Sequence, residues 1–209
     1  MIKINSKISF SYNKPPLIIA EISGNHNGSK LRFLKLIEKA CKSGADLVKI
    51  QTYEPDDITL KTKDPHFKIK DGVWKGKHLH SLYKKAHTPY EWHQSAFKIA
   101  KKYKKIIFSS PFSIKAVNFL EKFNVPIYKI ASFEITDYNL IDYIASKRKP
   151  IIISTGMASK EEGIKLGLDC DYLWCVSKYP ALPKDIVNMP SDFVIDGYSG
   201  FSDHTHGLS

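Results

Sequence analysis

Arginine is almost missing from this chain. Of its 32 basic residues only Arg32 and Arg148 carry a guanidinium, so the net charge of +11 at pH 7 is a lysine charge. The planar fork that reads guanine edges and clamps nucleic-acid phosphates is therefore scarce. The densest basic run, Lys98 to Lys105, has helical spacing and reads as a solvated helix face. With no recognition motif beside it, nucleic acid is set aside as a partner. A basic surface still steers anionic substrates. Cysteine is sparse too: Cys41, Cys170 and Cys175 form no CxxC pair and are odd in number, which argues against a disulfide framework. No apolar run reaches the roughly 18 residues of a membrane span, and Met1-Ile2-Lys3 is not followed by a signal-peptide core. The expectation is a cytoplasmic protein with no membrane partner.

What is present is a regular alternation. Short apolar runs recur at Leu17–Ile22, Asp46–Gln51, Lys105–Ser109, Pro126–Ile130, Pro150–Ser154, Tyr172–Val176 and Phe193–Tyr198, with helical patterns between them. Ser29 precedes an apolar stripe of Leu31, Leu34, Ile37, Ala40 and Cys41 that stops at Gly44, a C-terminal cap. Thr88-Pro89-Tyr90-Glu91 and Ser159-Lys160-Glu161-Glu162 read as capping boxes, and Asp137 as the cap of a helix carrying Leu140, Ile141 and Ile144. Near-continuous apolar strands alternating with helices predict parallel β structure covered by helices. One connection breaks the rhythm. The stretch from Tyr53 to His87, with Trp74 and four histidines, is too long for a plain connector and reads as a functional loop.

Two lysines stand where a strand should be apolar, Lys49 in DLVKIQT and Lys129 in PIYKIAS. Stripping water from an ammonium costs several kcal/mol unless a partner compensates. Either each pairs with a buried acid, or the two serve an anion. The other polar residues favour the second reading. Glu21, Gln51, Ser109, Ser110, Ser132, Glu134, Ser154, Thr155, Ser177, Tyr179, Ser202 and His204 all fall at or just past the ends of successive strands. Contributions from every strand mark a (β/α)8 TIM-type barrel, whereas a doubly wound sheet would gather them at one switch point, and no GxGxxG follows the first strand. Seven strands are predicted, so the barrel is expected to be truncated after the seventh.

Four motifs occur in order: Ile19-Ala20-Glu21-Ile22-Ser23-Gly24-Asn25-His26-Asn27-Gly28, Lys49-Ile50-Gln51-Thr52, Ser154-Thr155-Gly156-Met157 and Ser202-Asp203-His204-Thr205. Together they resemble the sialic acid synthase family, the phosphoenolpyruvate-dependent nonulosonic acid synthases, from about Leu17 to Thr205. Gln51-Thr52-Tyr53-Glu54-Pro55-Asp56, Thr88-Pro89-Tyr90-Glu91-Trp92-His93, Ala131-Ser132-Phe133-Glu134-Ile135 and Tyr179-Pro180-Ala181 look closest to the pseudaminic acid branch. Synthases of N-acetylneuraminate or legionaminic acid are the alternative within the family. An inactive fragment or interaction partner is the alternative of another class.

The resemblance implies a C–C bond-forming transferase. Carbon 3 of phosphoenolpyruvate adds to the open-chain aldehyde of an acylated amino-hexose, water adds at carbon 2, and phosphate leaves by C–O cleavage. Lys49 and Lys129 would take the phosphate as point charges, with Ser110, Ser132, Ser154 and Ser202 donating hydroxyl hydrogen bonds. Glu21 would orient or deprotonate the water. Glu134 would hold sugar hydroxyls, and Ser177 and Tyr179 the amide-bearing side, with Gln51 in support. The resemblance also implies a divalent metal, Mn2+ or Mg2+, polarising the aldehyde with His204 as a ligand. His206, two residues on, is off the family pattern and reads as a loop histidine. His26 is either a substrate contact or a hydrogen-bonded structural residue, and Trp74, Trp92 and Trp174 read as packing. Residues 1–209 are expected to be the N-terminal synthase barrel without the small C-terminal antifreeze-like domain that family homodimers append.

Overall fold

The computed structural model describes residues 2–4, 8–158, 162 and 170–206, which fall into two compact units. One is Leu17–Val125; the other joins Met1–Pro16 to Pro126–Ser209. The second begins with a feature that the hydrophobic pattern did not announce, an antiparallel pair of β1 (Ile2–Lys3) and β2 (Ser9–Phe10). Among the described residues, no helix is long and apolar enough to cross a membrane.

Leu17–Val125 contains three parallel strands in the order β3 (Ile19–Glu21), β4 (Leu47–Thr52) and β5 (Ile106–Pro111). The helix α1 (Lys30–Lys42) crosses from β3 to β4. Its start is the predicted one: the Ser29 hydroxyl accepts the Arg32 N–H at 3.2 Å. Gly44, at φ +92, closes it in the left-handed region that an L side chain resists. The buried face is turned from the predicted one. Phe33, Ile37, Ala40 and Cys41 are buried, whereas Leu31 is 66% exposed and Leu34 only partly covered. Phe33 wins this face because its ring packs edge-on to His26, at 5.7 Å between centroids, and lies equally far from Trp92.

Between β4 and β5 the long connection folds as α2 (Pro55–Ile58), a short 3₁₀ turn, α3 (Leu79–Ala86) and α4 (Tyr90–Lys102). Tyr53, Tyr83, His87 and Phe112 group their rings at its base. The capping box expected at Thr88 does not form. Pro89 occupies the N-cap with no side-chain bond, and the buried Thr88 hydroxyl instead lies 3.4 Å from His26 Nε2. After β5 comes α5 (Ile114–Glu121), capped by Ser113.

The ends of β4 and β5 are clamped by a buried polar chain. Nδ1 of His93 faces the Pro89 carbonyl at 3.2 Å, so it carries the proton, and Nε2 accepts from the Thr52 hydroxyl at 2.8 Å. Ser109 Oγ lies 2.7 Å from Thr52 Oγ1 and 3.1 Å from the Ile50 carbonyl. Burial holds the His93 imidazole down at about 4, against opposing backbone hydrogen bonds at Pro89 and Tyr90.

The other unit carries four parallel strands, β6 (Tyr128–Ile130), β7 (Ile151–Ser154), β8 (Asp171–Cys175) and β9 (Gly200–Ser202), in that order. The helix α6 (Tyr138–Ala145) starts at Asp137, whose carboxylate accepts the Leu140 N–H at 3.1 Å as expected. The second capping box, at Ser159-Lys160-Glu161-Glu162, lies outside the described residues except for Glu162. The last strand is displaced from its predicted place. Phe193–Tyr198 is a series of turns, because Asp192 Oδ1 takes the Val194 and Ile195 N–H groups and the Tyr198 N–H returns to the Phe193 carbonyl. Pairing begins only at Gly200; the described strands from β3 onward are parallel, and helices α1 to α6 lie in the connections between β3 and β7, the α/β class expected.

Two consequences are measurable by urea denaturation. Phe33→Ala should cost about 3–5 kcal/mol, and Leu31→Ala less than about 1 kcal/mol. His93 is neutral in the fold, so it favours the folded state fully above the unfolded imidazole value and loses that contribution as pH falls toward 4. Acidification from pH 7 to 4 should remove up to about 3 kcal/mol in the parent chain, and His93→Gln, already weaker at pH 7, should lose visibly less.

Candidate active site

The strand ends of Leu17–Val125 hold one polar cluster. Parallel register places Glu21 beside Lys49 and Gln51 beside Ser110, so these pairs project from neighbouring strands on matched sides. Lys49 Nζ forms an ion pair with Glu21 Oε2 and donates to Ser110 Oγ at 3.4 Å. Lys49 thus has the acidic partner that one of the two sequence readings required. The other carboxylate oxygen, Glu21 Oε1, accepts from the Ser23 N–H at 2.9 Å and from the Ser23 hydroxyl at 3.2 Å. Gln51 in turn donates to Ser23 Oγ at 3.2 Å. Ser23 has φ +47, the left-handed region, and that turn folds its amide back onto Glu21. Ser23 was not singled out in the sequence; only Glu-x-Ser at a strand end hinted at it.

His26 belongs to the structure of this loop. Its Nδ1 accepts the Gly28 N–H at 3.0 Å, and its fully buried ring sits against Phe33 and Trp92. Burial pushes the imidazole below its ordinary value, His87 adds to this, and a hydrogen bond to the Ala86 backbone opposes it. Gly24 rests against Ala86 so tightly that a Cβ there would meet Ala86 Cβ and O at 3.0 Å.

The second cluster lies in the other unit. Lys129, 3% exposed, donates to the Ile130 carbonyl at 2.7 Å and to Ser154 Oγ at 2.5 Å. A 3₁₀ turn, Ser132–Glu134, follows β6 at once, and Ser132 Oγ points to Cys175 Sγ at 3.5 Å. Burial raises the Glu134 carboxyl to about 7, although a backbone hydrogen bond and the Lys129 charge act to lower it. Glu134 Oε2 and Ser177 Oγ are buried without a hydrogen-bond partner among the described residues. Ser177 also presses on the glycine of the Ser154-Thr155-Gly156 motif, where a Cβ would come within 2.6 Å of its hydroxyl. Ser202 pairs in register with Cys175 at the end of β9.

His204 follows that strand. Its Nδ1 donates to the Val176 carbonyl at 2.7 Å, which places the lone pair on Nε2, and the Tyr179 ring lies 4.2 Å away. Cys175 Sγ is 3.7 Å from the same Nδ1. Burial opposes ionisation of this thiol, yet contacts from His204 and Ser132 and the Lys129 charge outweigh it, and the pKa is lowered. Cys175 is a site neighbour that sequence reading missed, since a lone cysteine in an apolar strand looks like core. For the implied divalent metal the fit is incomplete: among the described residues no three His, Cys, Asp or Glu side chains assemble into a donor set. His204 supplies one imidazole, and His206 is exposed.

Comparison with known proteins finds several that this chain resembles. A pseudaminic acid synthase of Campylobacter jejuni is 42% identical over 96% of this chain, and one of Helicobacter pylori is 43% identical over 93%. The chain spans only 62% and 60% of their lengths. The crystal structure of an N-acetylneuraminic acid synthetase from Leptospira borgpetersenii superposes with a TM-score of 0.81 at 26% identity, covering 97% of this chain and 70% of that one. Residues 36–209 match the NeuB family, and the chain belongs to it.

Proposed function

We propose that the chain serves a phosphoenolpyruvate-dependent nonulosonic acid synthase of the pseudaminic acid type. Its reaction joins carbon 3 of phosphoenolpyruvate to the aldehyde carbon of a diacetamido-hexose. The observation that carries this reading is the pair of unspent polar atoms, Glu134 Oε2 and Ser177 Oγ. A buried polar atom without a partner costs roughly 1–3 kcal/mol, which a bound sugar hydroxyl or amide would recover. Both atoms sit at positions that the resemblance assigns to the sugar. The relatives at 42% and 43% identity bear the same activity in their names.

In this reading Lys129, with Ser132 and Ser154, receives an anionic group of phosphoenolpyruvate, and Lys49 with Ser110 another. Ammonium groups suit the task as compact point charges with three rotatable donors that need no fixed fork. Ser202 adds a hydroxyl. Glu21 orients the water that attacks carbon 2 and accepts its proton, while phosphate departs with the C–O bonding pair. Tyr179 packs against the sugar beside His204. A divalent cation and a homodimeric assembly, which the family resemblance implies, and a cytoplasmic location, read from the sequence, are the remaining parts of the proposal.

A full-length synthase carrying these residues, incubated with phosphoenolpyruvate and 2,4-diacetamido-2,4,6-trideoxy-altrose with manganese or magnesium supplied, should release phosphate and form a nine-carbon acid detectable by mass spectrometry. Equal or faster release with N-acetylmannosamine would overturn the branch assignment. A second outcome follows from Glu134. As an acceptor of sugar hydroxyls it acts ionised, so sugar affinity measured by calorimetry should rise as pH increases through about 7. Glu134→Gln should weaken binding at pH 8 and abolish that pH dependence.

A further inference from the structure

Lys49 is claimed twice. The reading above gives it to an anion of the substrate, yet its ammonium is already bound to Glu21 Oε2. The two oxygens of Glu21 are held in different ways. Oε1 is fixed by the amide and hydroxyl of Ser23, a residue of its own loop, whose hydroxyl is itself held by Gln51. Among the described residues, Oε2 is held by Lys49. An ammonium presents three donors, and here one goes to Glu21 and one to Ser110. The pair is partly exposed, at 15% for the lysine side chain and 33% for the glutamate, so an arriving anion can reach it.

We propose that Glu21 is the resident counter-ion of Lys49, and that a phosphate or carboxylate group takes Lys49 by displacing Glu21 Oε2. Ser23 keeps its grip on Oε1, so the carboxylate stays in place while the displaced oxygen becomes an acceptor. One ammonium thereby couples anion arrival to the exposure of the base. Before the anion binds, Lys49 occupies Oε2; once it binds, Oε2 is left open as a hydrogen-bond acceptor. The same contact gives the lysine a partner in the empty site, where a stripped ammonium would otherwise be costly. This proposal rests on the assignment of Lys49 to the substrate anion.

Competition has a sign that simple support does not share. If Glu21 only helped to organise the site, removing its charge would weaken anion binding or leave it unchanged. If it competes for Lys49, removing its charge must strengthen binding. Inorganic phosphate titrated by calorimetry, at fixed ionic strength and pH 7.5, is a suitable probe because it requires no turnover. Glu21→Gln should bind phosphate roughly threefold or more tightly than the parent chain, the scale of one partly exposed ion pair. Glu21→Ala, which removes the charge by a different route, must shift affinity in the same direction; circular dichroism confirms that each variant is folded. Lys49→Met should weaken phosphate binding and cancel the gain when combined with Glu21→Gln. Unchanged or weaker binding in both Glu21 variants, with Lys49→Met still deleterious, overturns the displacement and leaves the anion assignment standing. Phosphate affinity indifferent to Lys49→Met overturns both.

Discussion

A lysine ammonium stripped of bulk water must find acceptors, and this requirement shapes the ends of the strands. Lys129 meets it with the carbonyl of the next residue and the hydroxyl of Ser154, which ties β6 to β7. Lys49 meets it with Glu21 and Ser110, which ties β3 and β5 to β4. In each case at least one acceptor comes from an adjacent strand, so the charge works as a cross-strand fastener. Neither position admits a neutral replacement without leaving acceptors behind.

The remainder of the fold serves to keep those ends still. In Leu17–Val125, His93, Thr52 and Ser109 form a directed hydrogen-bond chain beneath the strand ends, with a neutral imidazole at one terminus. In the other unit, Ser132, Cys175 and His204 link the 3₁₀ turn after β6 to the end of β8 and the loop after β9. Rigid apolar strands below and short polar contacts above divide the labour: the first fix position, the second fix orientation.

How much of this was legible beforehand depends on the range of the interaction. Ser29 and Asp137 announce their helices because a cap acts within three residues. The strands carrying Lys49 and Lys129 were plain because burial on both faces leaves an apolar signature. Errors arose where a distant partner decided. Thr88 looks like a cap until His26 occupies its hydroxyl, and Leu31 looks buried until Phe33 meets Trp92. Phe193–Tyr198 is apolar enough for a strand, but Asp192 bends it into turns. The ion pair of Glu21 and Lys49 depends on register between strands, which a single sequence does not print. Ser23 depends on a left-handed turn that favours glycine, and its side chain gave no warning.

The contact of Gly24 with Ala86 gives the long connection before β5 an unexpected mechanical character. Loops of such length are commonly imagined as lids that swing. Here the last turn of α3 is wedged against the loop that carries Ser23, and His26 sews the same two segments together through Thr88. A swing at that end would pull Ser23 away from Glu21 and scatter the carboxylate. That end of the connection is therefore a fixed post, and whatever motion the connection allows belongs to its far end, around the exposed Val73 and Trp74.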